Sequence, residues 1–142
     1  MSRSTKNLTI LVVDDDKTDR ESVCRLLEEC GYGVVEAAGY WEALKSYEQH
    51  GDKVKLLLTA IALPGNNGYE LASALFRKSP NLKVLFLSGR TGAQVSRFYN
   101  MPVTGHHILT KPIDAAELLD RVRRTLRLRQ PVLRVKGAPG SL

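Results

Sequence analysis

The chain is expected to fold as an α/β protein, a doubly wound parallel sheet with helices on both faces. Three observations predict this. Short runs rich in Val, Leu and Ile alternate five times with segments of helical periodicity. Several of the runs are apolar at consecutive residues, as strands covered on both sides are. Right-handed crossovers between parallel strands then favour the doubly wound arrangement.

Each element has its own signal. Leu8–Val13 reads as a buried strand ending in Asp14-Asp15-Asp16. Val23, Leu26, Leu27 and Cys30 follow at helical spacing, with Asp16 placed to cap the helix and Gly31 and Gly33 to end it. Val34–Ala37 is a short second strand, and Tyr40, Ala43, Leu44 and Tyr47 repeat the helical period. Val54–Ala60 is the third strand, followed by a loop, Pro64-Gly65-Asn66-Asn67-Gly68. Asn67 and Glu70 have capping-box spacing, Leu71, Ala74 and Leu75 form an apolar stripe, and Pro80-Asn81 stops the helix. Leu82–Leu87 is a fourth strand and Thr91–Tyr99 a weaker helix carried by Val95 and Phe98. His106–Leu109 is a short fifth strand. Asp114–Leu128 is the clearest helix, with Asp114 and Glu117 spaced as a cap pair and Ala115, Leu118, Leu119, Val122 and Leu126 facing inward.

The 142 residues suit one domain that forms its core without disulfides or metal. The expected organisation is a flexible N-terminus over 1–7, the domain over 8–129 and a basic, mobile tail over 130–142. No apolar run reaches the length of a membrane span, and the polar start Met1–Asn7 lacks a signal region, so a cytoplasmic location is expected. Cys24 and Cys30, the only cysteines, fall in one predicted helix and point in different directions, as small apolar residues in a reducing compartment. The net charge of +6 is confined to the C-terminal stripe Arg121, Arg123, Arg124, Arg127, Arg129, Arg134 and Lys136, beyond which acidic and basic residues nearly balance. No aromatic residues interleave with these arginines and no recognition-helix motif precedes them, so a solvated helix face is expected rather than nucleic-acid binding. His50 reads as a surface residue, His106-His107 as a pair without metal-ligand spacing, and Tyr40, Trp41 and Tyr47 as packing residues.

Doubly wound sheets gather functional groups at the carboxyl ends of their strands. Here those ends are Asp14–Asp16, Thr59–Ala60, Ser88–Gly89 and Thr110–Lys111. Adjacent carboxylates at Asp14 and Asp15 suit Mg²⁺, which takes few protein ligands and keeps its waters. Ser88 offers a hydroxyl, and Lys111, restrained by Pro112, an ammonium. A cation, a hydroxyl and an ammonium position and neutralise a phosphoryl group. A nucleophile is missing from the set.

Over residues 8–128 these motifs resemble the response-regulator receiver domains of two-component signalling. The acidic pair is Val12-Val13-Asp14-Asp15, the hydroxyl motif Ser88-Gly89, and the lysine motif Lys111-Pro112. Pro64-Gly65 and Gly68 set the register of the phospho-acceptor, which falls on Ala60. The segment Leu58–Tyr69 is similar to receivers of hybrid sensor kinases, apart from Ala60. The resemblance implies a flavodoxin-like (βα)5 three-layer sandwich with strand order 2-1-3-4-5, and a signalling module rather than an enzyme. It implies Asp14 and Asp15 as holders of Mg²⁺, with Ser88 and Lys111 contacting the phosphoryl group. It implies a histidine kinase or phosphotransfer protein as partner, and contacts or a homodimer through the fourth and fifth β/α units, with Arg97, Arg121 and Arg124 as candidates. Ile108 departs from the family's frequent Tyr or Phe at that position, so that form of switching is not expected.

A methyl group cannot attack a phosphohistidine, and Thr59 points to the opposite face of the sheet. Phosphorylation at position 60 is therefore not expected, Mg²⁺ binding should be weak, and Lys111 should pair with Asp14 or Asp15. Ala60 fits either a substitution introduced into a complete receiver or a natural receiver that signals without phosphate. The persistence of Asp14, Asp15, Ser88 and Lys111 favours the first. An alternative reading takes Asp14-Asp15-Asp16-Lys17-Thr18 as the Asp-x-Asp-x-Thr motif of haloacid-dehalogenase-like phosphatases, with Asp14 as nucleophile and Asp16 as general acid–base. The short chain and the Pro-Gly-x-x-Gly loop argue against it.

Overall fold

The computed structural model describes residues 8–89 and 108–127. In these, β1 (Thr9–Val13), α1 (Lys17–Glu29), β2 (Gly33–Ala37), α2 (Tyr40–His50), β3 (Val54–Ala60), α3 (Gly68–Lys78), β4 (Lys83–Ser88), β5 (Ile108–Thr110) and α4 (Ala115–Arg127) follow one another. A single turn of 3₁₀ helix, Gly51–Lys53, joins α2 to β3. The five strands form one parallel sheet in the order β2-β1-β3-β4-β5, as expected.

Alternation along the strands divides the core. Ile10, Val12, Leu56, Leu58, Leu85, Leu87 and Leu109 point to the α1 and α4 side, where Val23, Leu27, Leu118 and Val122 meet them. Leu11, Val13, Leu57, Phe86 and Ile108 point the other way, into a layer completed by Ala43, Tyr47, Leu71, Leu75 and Phe76 of α2 and α3. The central strands are buried almost throughout, which explains their continuous apolar runs.

The helix ends follow the predicted chemistry. Asp16 accepts the Asp19 amide at 3.0 Å, capping α1. Its other end is a Schellman turn, in which Gly31 adopts a φ of 93° while Tyr32 and Gly31 donate to the Leu27 and Glu28 carbonyls. Asn67 and Glu70 form a complete reciprocal capping box on α3. At α4 only half of the expected pair forms: the Glu117 amide donates to Asp114, while the Glu117 carboxylate lies 3.7 Å from Arg121.

Several expectations are corrected. The fifth strand extends to Thr110 rather than ending at Leu109, because Ser88 of β4 pairs with Thr110, while His106 and His107 lie outside the described residues. Gly33 opens β2 rather than ending α1, since Gly31 already supplies the left-handed turn. Cys30 is exposed at the C-cap of α1, and Cys24 takes the buried place. The inward face of α3 is Leu71, Ala72, Leu75 and Phe76, with Ala74 only half-buried, because α3 also packs toward α2. On α4 Ala115 is exposed and Thr125 is buried. Trp41 is not a packing residue: it is 73% exposed, one position round the helix from the inward stripe, with its ring edge-on to Tyr40. The expected helix Thr91–Tyr99, His106, His107 and the termini 1–7 and 130–142 lie outside the described residues. No described helix is long and apolar enough to cross a membrane.

Candidate functional site

The carboxyl edge of the sheet brings the ends of β1, β3, β4 and β5 side by side, since the ladder pairs Val13 with Thr59, Ala60 with Leu87, and Ser88 with Thr110. Backbone hydrogen bonds continue beyond the strands. The Asp14 amide donates to the Ala37 carbonyl, Ile61 to Leu87, and Lys111 to Ser88 at 2.7 Å. Lys111 is followed by a cis bond to Pro112.

Asp14 is the buried charge of this edge, 1% exposed. A carboxylate so far from water requires partners on both oxygens. Oδ1 accepts the Asp16 amide at 3.0 Å, and Oδ2 accepts the Lys111 ammonium at 2.8 Å. The same ammonium lies 2.9 Å from Oδ2 of Asp19, in the first turn of α1. Burial lowers the pKa of Lys111, but hydrogen bonds and charge from Asp14 and Asp19 outweigh it and leave the value raised. Asp15 is exposed at the rim. Arg20 fastens the start of α1 by donating to the Asp14 carbonyl at 2.7 Å and to Glu36 of β2 at 2.8 Å.

The end of β3 differs in kind. Ala60 is 4% exposed and, by alternation, shares the face of Leu56 and Leu58, whereas Thr59 lies on the opposite face and donates from its hydroxyl to the Ala60 carbonyl. Gly68 donates to the Ile61 carbonyl at 2.8 Å as α3 begins. A Cβ at Gly68 would overlap the Ala60 carbonyl, so the backbone here closes only around glycine. Ser88 is buried, 7% exposed, at the end of β4.

The fold thus gathers the predicted Asp14, Ser88 and Lys111 at one edge with Ala60, with Asp15 exposed beside Asp14. Lys111 pairs with Asp14 as expected, and with Asp19 rather than Asp15. Asp19, Arg20 and Glu36 were not singled out in the sequence. Asp19 and Arg20 lie one helical turn past the acidic strand end, which was the available signal, whereas Glu36 arrives only through the pairing of β2 with β1. The acidic pair provides two carboxylates of the kind a hard cation takes. Among the described residues no group of three acidic, histidine or cysteine side chains comes together.

Charges elsewhere are largely satisfied locally. Arg123 and Arg124 pair with Asp120 of the same helix, and Arg121 pairs with Glu117 and donates to the Ile108 carbonyl at 3.4 Å. Arg97, Arg129, Arg134 and Lys136 lie outside the described residues. His50 is half-buried, its Nδ1 2.9 Å from the Ser46 carbonyl. Cys24 has its thiol pKa pushed up to about 12, first by burial and then by Glu36 and Glu28.

A family model of the response regulator receiver domain matches residues 10–123. The chain belongs to this family. It is 32% identical over 120 residues to the aerobic respiration control protein ArcA of Escherichia coli, an alignment covering 82% of this chain and 48% of ArcA. It is 31% identical over 119 residues to the sensor kinase CckA of Brucella abortus, covering 83% of this chain and 12% of CckA. The chain therefore spans at most about half the length of these relatives. Among solved structures, the receiver domain of the hybrid histidine kinase CckA superposes with a TM-score of 0.69 at 34% identity, covering 84% of this chain and 99% of that one. The HemR receiver domain from Leptospira biflexa superposes with a TM-score of 0.73 at 30% identity, covering 89% and 99%. The receiver family, with its parallel sheet in the order 2-1-3-4-5, is thus the frame for the site. The phosphatase alternative gains no support, and Asp16 engages its carboxylate as a helix cap.

Proposed function

We propose that this chain is a receiver of two-component signalling that does not accept a phosphoryl group at position 60 and acts through protein–protein contact. The observation that carries this is the side chain of Ala60, a buried methyl at the end of β3, beside an edge that otherwise supplies a paired carboxylate, a hydroxyl and an ammonium. The methyl group has no lone pair to attack phosphorus. The residues that neutralise and position a phosphoryl group, Lys111 and Ser88, remain at the adjoining strand ends.

Asp14 and Asp15 would hold Mg²⁺, whose chemistry when bound is to neutralise phosphoryl oxygens. With no carboxylate from β3, that binding is weak. A histidine kinase or phosphotransfer protein is the partner class that fits the family, and a homodimer through the fourth and fifth β/α units is a further contact. The intramolecular pairing of Arg121, Arg123 and Arg124 supports a solvated face on α4 rather than a nucleic-acid site. A cytoplasmic location accords with these partners.

The deciding experiment restores a carboxylate. Ala60→Asp incubated with acetyl phosphate and Mg²⁺ is expected to gain an acid-labile phosphate, read by phosphate-affinity electrophoresis and intact mass. The parent chain is expected to gain none. A labelled parent overturns the reading, whereas an unlabelled Ala60→Asp variant beside an unlabelled parent supports a natural receiver that signals without phosphate over a substitution introduced into a complete one.

A further inference from the structure

Asp19 is the carboxylate at this edge that no motif assigns, and it lies on Lys111. Its Oδ2 is 2.9 Å from the ammonium, whose second partner is Asp14 Oδ2 at 2.8 Å. We propose that Asp19 is a positioning residue that holds Lys111 across Asp14, so that the ammonium serves as a tethered cation and opposes entry of a divalent one. This rests on the reading of the edge as a receiver pocket.

Both carboxylates are fixed by backbone, so the ammonium meets a prepared clamp. Asp14 ends β1 and gives Oδ1 to the Asp16 amide. Asp19 is set by α1, where its own amide is bound to the Asp16 cap. Lys111 is held from the other side by its amide on the Ser88 carbonyl. With Oδ1 on an amide and Oδ2 on the ammonium, a metal ion that reaches Asp14 shares the carboxylate with the ammonium and stands within a few ångströms of its positive charge, which opposes it unless Lys111 moves away. The ammonium is the movable group, because its side chain is 25% exposed while Asp14 is 1% exposed. The end of β3 offers Lys111 no competing acid, since residue 60 is alanine. The ion pair also ties the segment after β5 to the first turn of α1.

The test is a calorimetric titration of the 142-residue chain and its variants with Mn²⁺, used as the hard-cation probe. Lys111→Gln keeps a donor for Asp14 without the charge and is expected to bind Mn²⁺ about tenfold more tightly. Lys17→Gln removes the same charge from a neighbouring exposed position and is expected to change affinity by less than about twofold. Asp19→Asn removes a negative charge, which by simple attraction would weaken binding. Because it also loosens the clamp, it is expected to bind Mn²⁺ at least as tightly as the parent. In the Lys111→Gln background, where no clamp remains, Asp19→Asn is expected to weaken binding, and this reversal of sign is the signature of coupling. Asp19→Asn that weakens binding in the parent background overturns the proposal by itself, whether or not Lys111→Gln folds. A Lys17→Gln effect equal to that of Lys111→Gln also overturns it. Phosphorylation of Ala60→Asp alongside either failure leaves the receiver reading standing and removes only the clamp.

Discussion

The two halves of the carboxyl edge are built differently. At the ends of β1 and β5, position is set by charge: a buried carboxylate, an ammonium and a second carboxylate from α1 hold three elements together. At the end of β3, position is set by backbone packing around a methyl group, with Gly68 closed against the Ala60 carbonyl. A charge buried at one strand end must find its partner among whatever the neighbouring strands offer. For Asp14 that partner is Lys111 after β5, and the ammonium takes its second carboxylate from Asp19 of α1, since β3 ends in alanine. The charged half thus closes on itself without any side chain from β3.

The largest expected effect comes from making the two halves alike. Ala60→Asp is expected to be labelled by acetyl phosphate and the parent chain not, as followed by intact mass. Breaking the charged half is next. Lys111→Met leaves the Asp14 carboxylate buried without its counter-ion, and is expected to destabilise the fold by roughly 2–4 kcal/mol in urea denaturation. Because the pairing raises the folded-state pKa of Lys111, its contribution is fully present below the ordinary lysine value of 10.5 and is lost as pH climbs past the folded value. The stability gap between parent and variant should therefore be level from pH 7 to 9 and shrink only in stronger base.

Breaking the backbone half should have a smaller effect of unusual sign. Gly→Ala within a helix ordinarily stabilises. Gly68→Ala instead drives a Cβ into the Ala60 carbonyl, so a loss of roughly 1–3 kcal/mol is expected in the same denaturation. A gain in stability would show that this half yields easily. The smallest effect is at the box that starts α3: Asn67→Ala removes the cap on Glu70 and should lower stability by about 1 kcal/mol without altering Mn²⁺ binding. The thiols contrast in the same manner. Exposed Cys30 should be alkylated by iodoacetamide in the native protein, and Cys24 only on unfolding, as peptide mass mapping would show.

Much of this was legible because local physics wrote it into neighbouring residues. Asp16 as a cap, Asn67 with Glu70 as a capping box, and Gly31 after α1 are interactions within a few residues, so spacing revealed them. Alternation alone put Thr59 and Ala60 on opposite faces. Inward faces were harder. Cys30, Ala74 and Ala115 were assigned to the core and are exposed or half-buried, whereas Cys24, Ala72 and Thr125 took buried places. Small side chains barely change a helical stripe, so the neighbouring helix decides which of them turns inward.

The sequence by itself determined the α/β class and the presence of Asp14, Ser88, Lys111 and Ala60 at strand ends, because periodicity, caps and crossover handedness are local or topological; the strand order came with the resemblance to receiver domains. Only the tertiary structure decided which carboxylates Lys111 takes, that Asp15 is exposed while Asp14 is buried, that Trp41 lies exposed, and that Gly68 touches Ala60. Those outcomes depend on distances between residues far apart in the chain, 97 positions in the case of Asp14 and Lys111, and such distances exist only once the sheet has assembled.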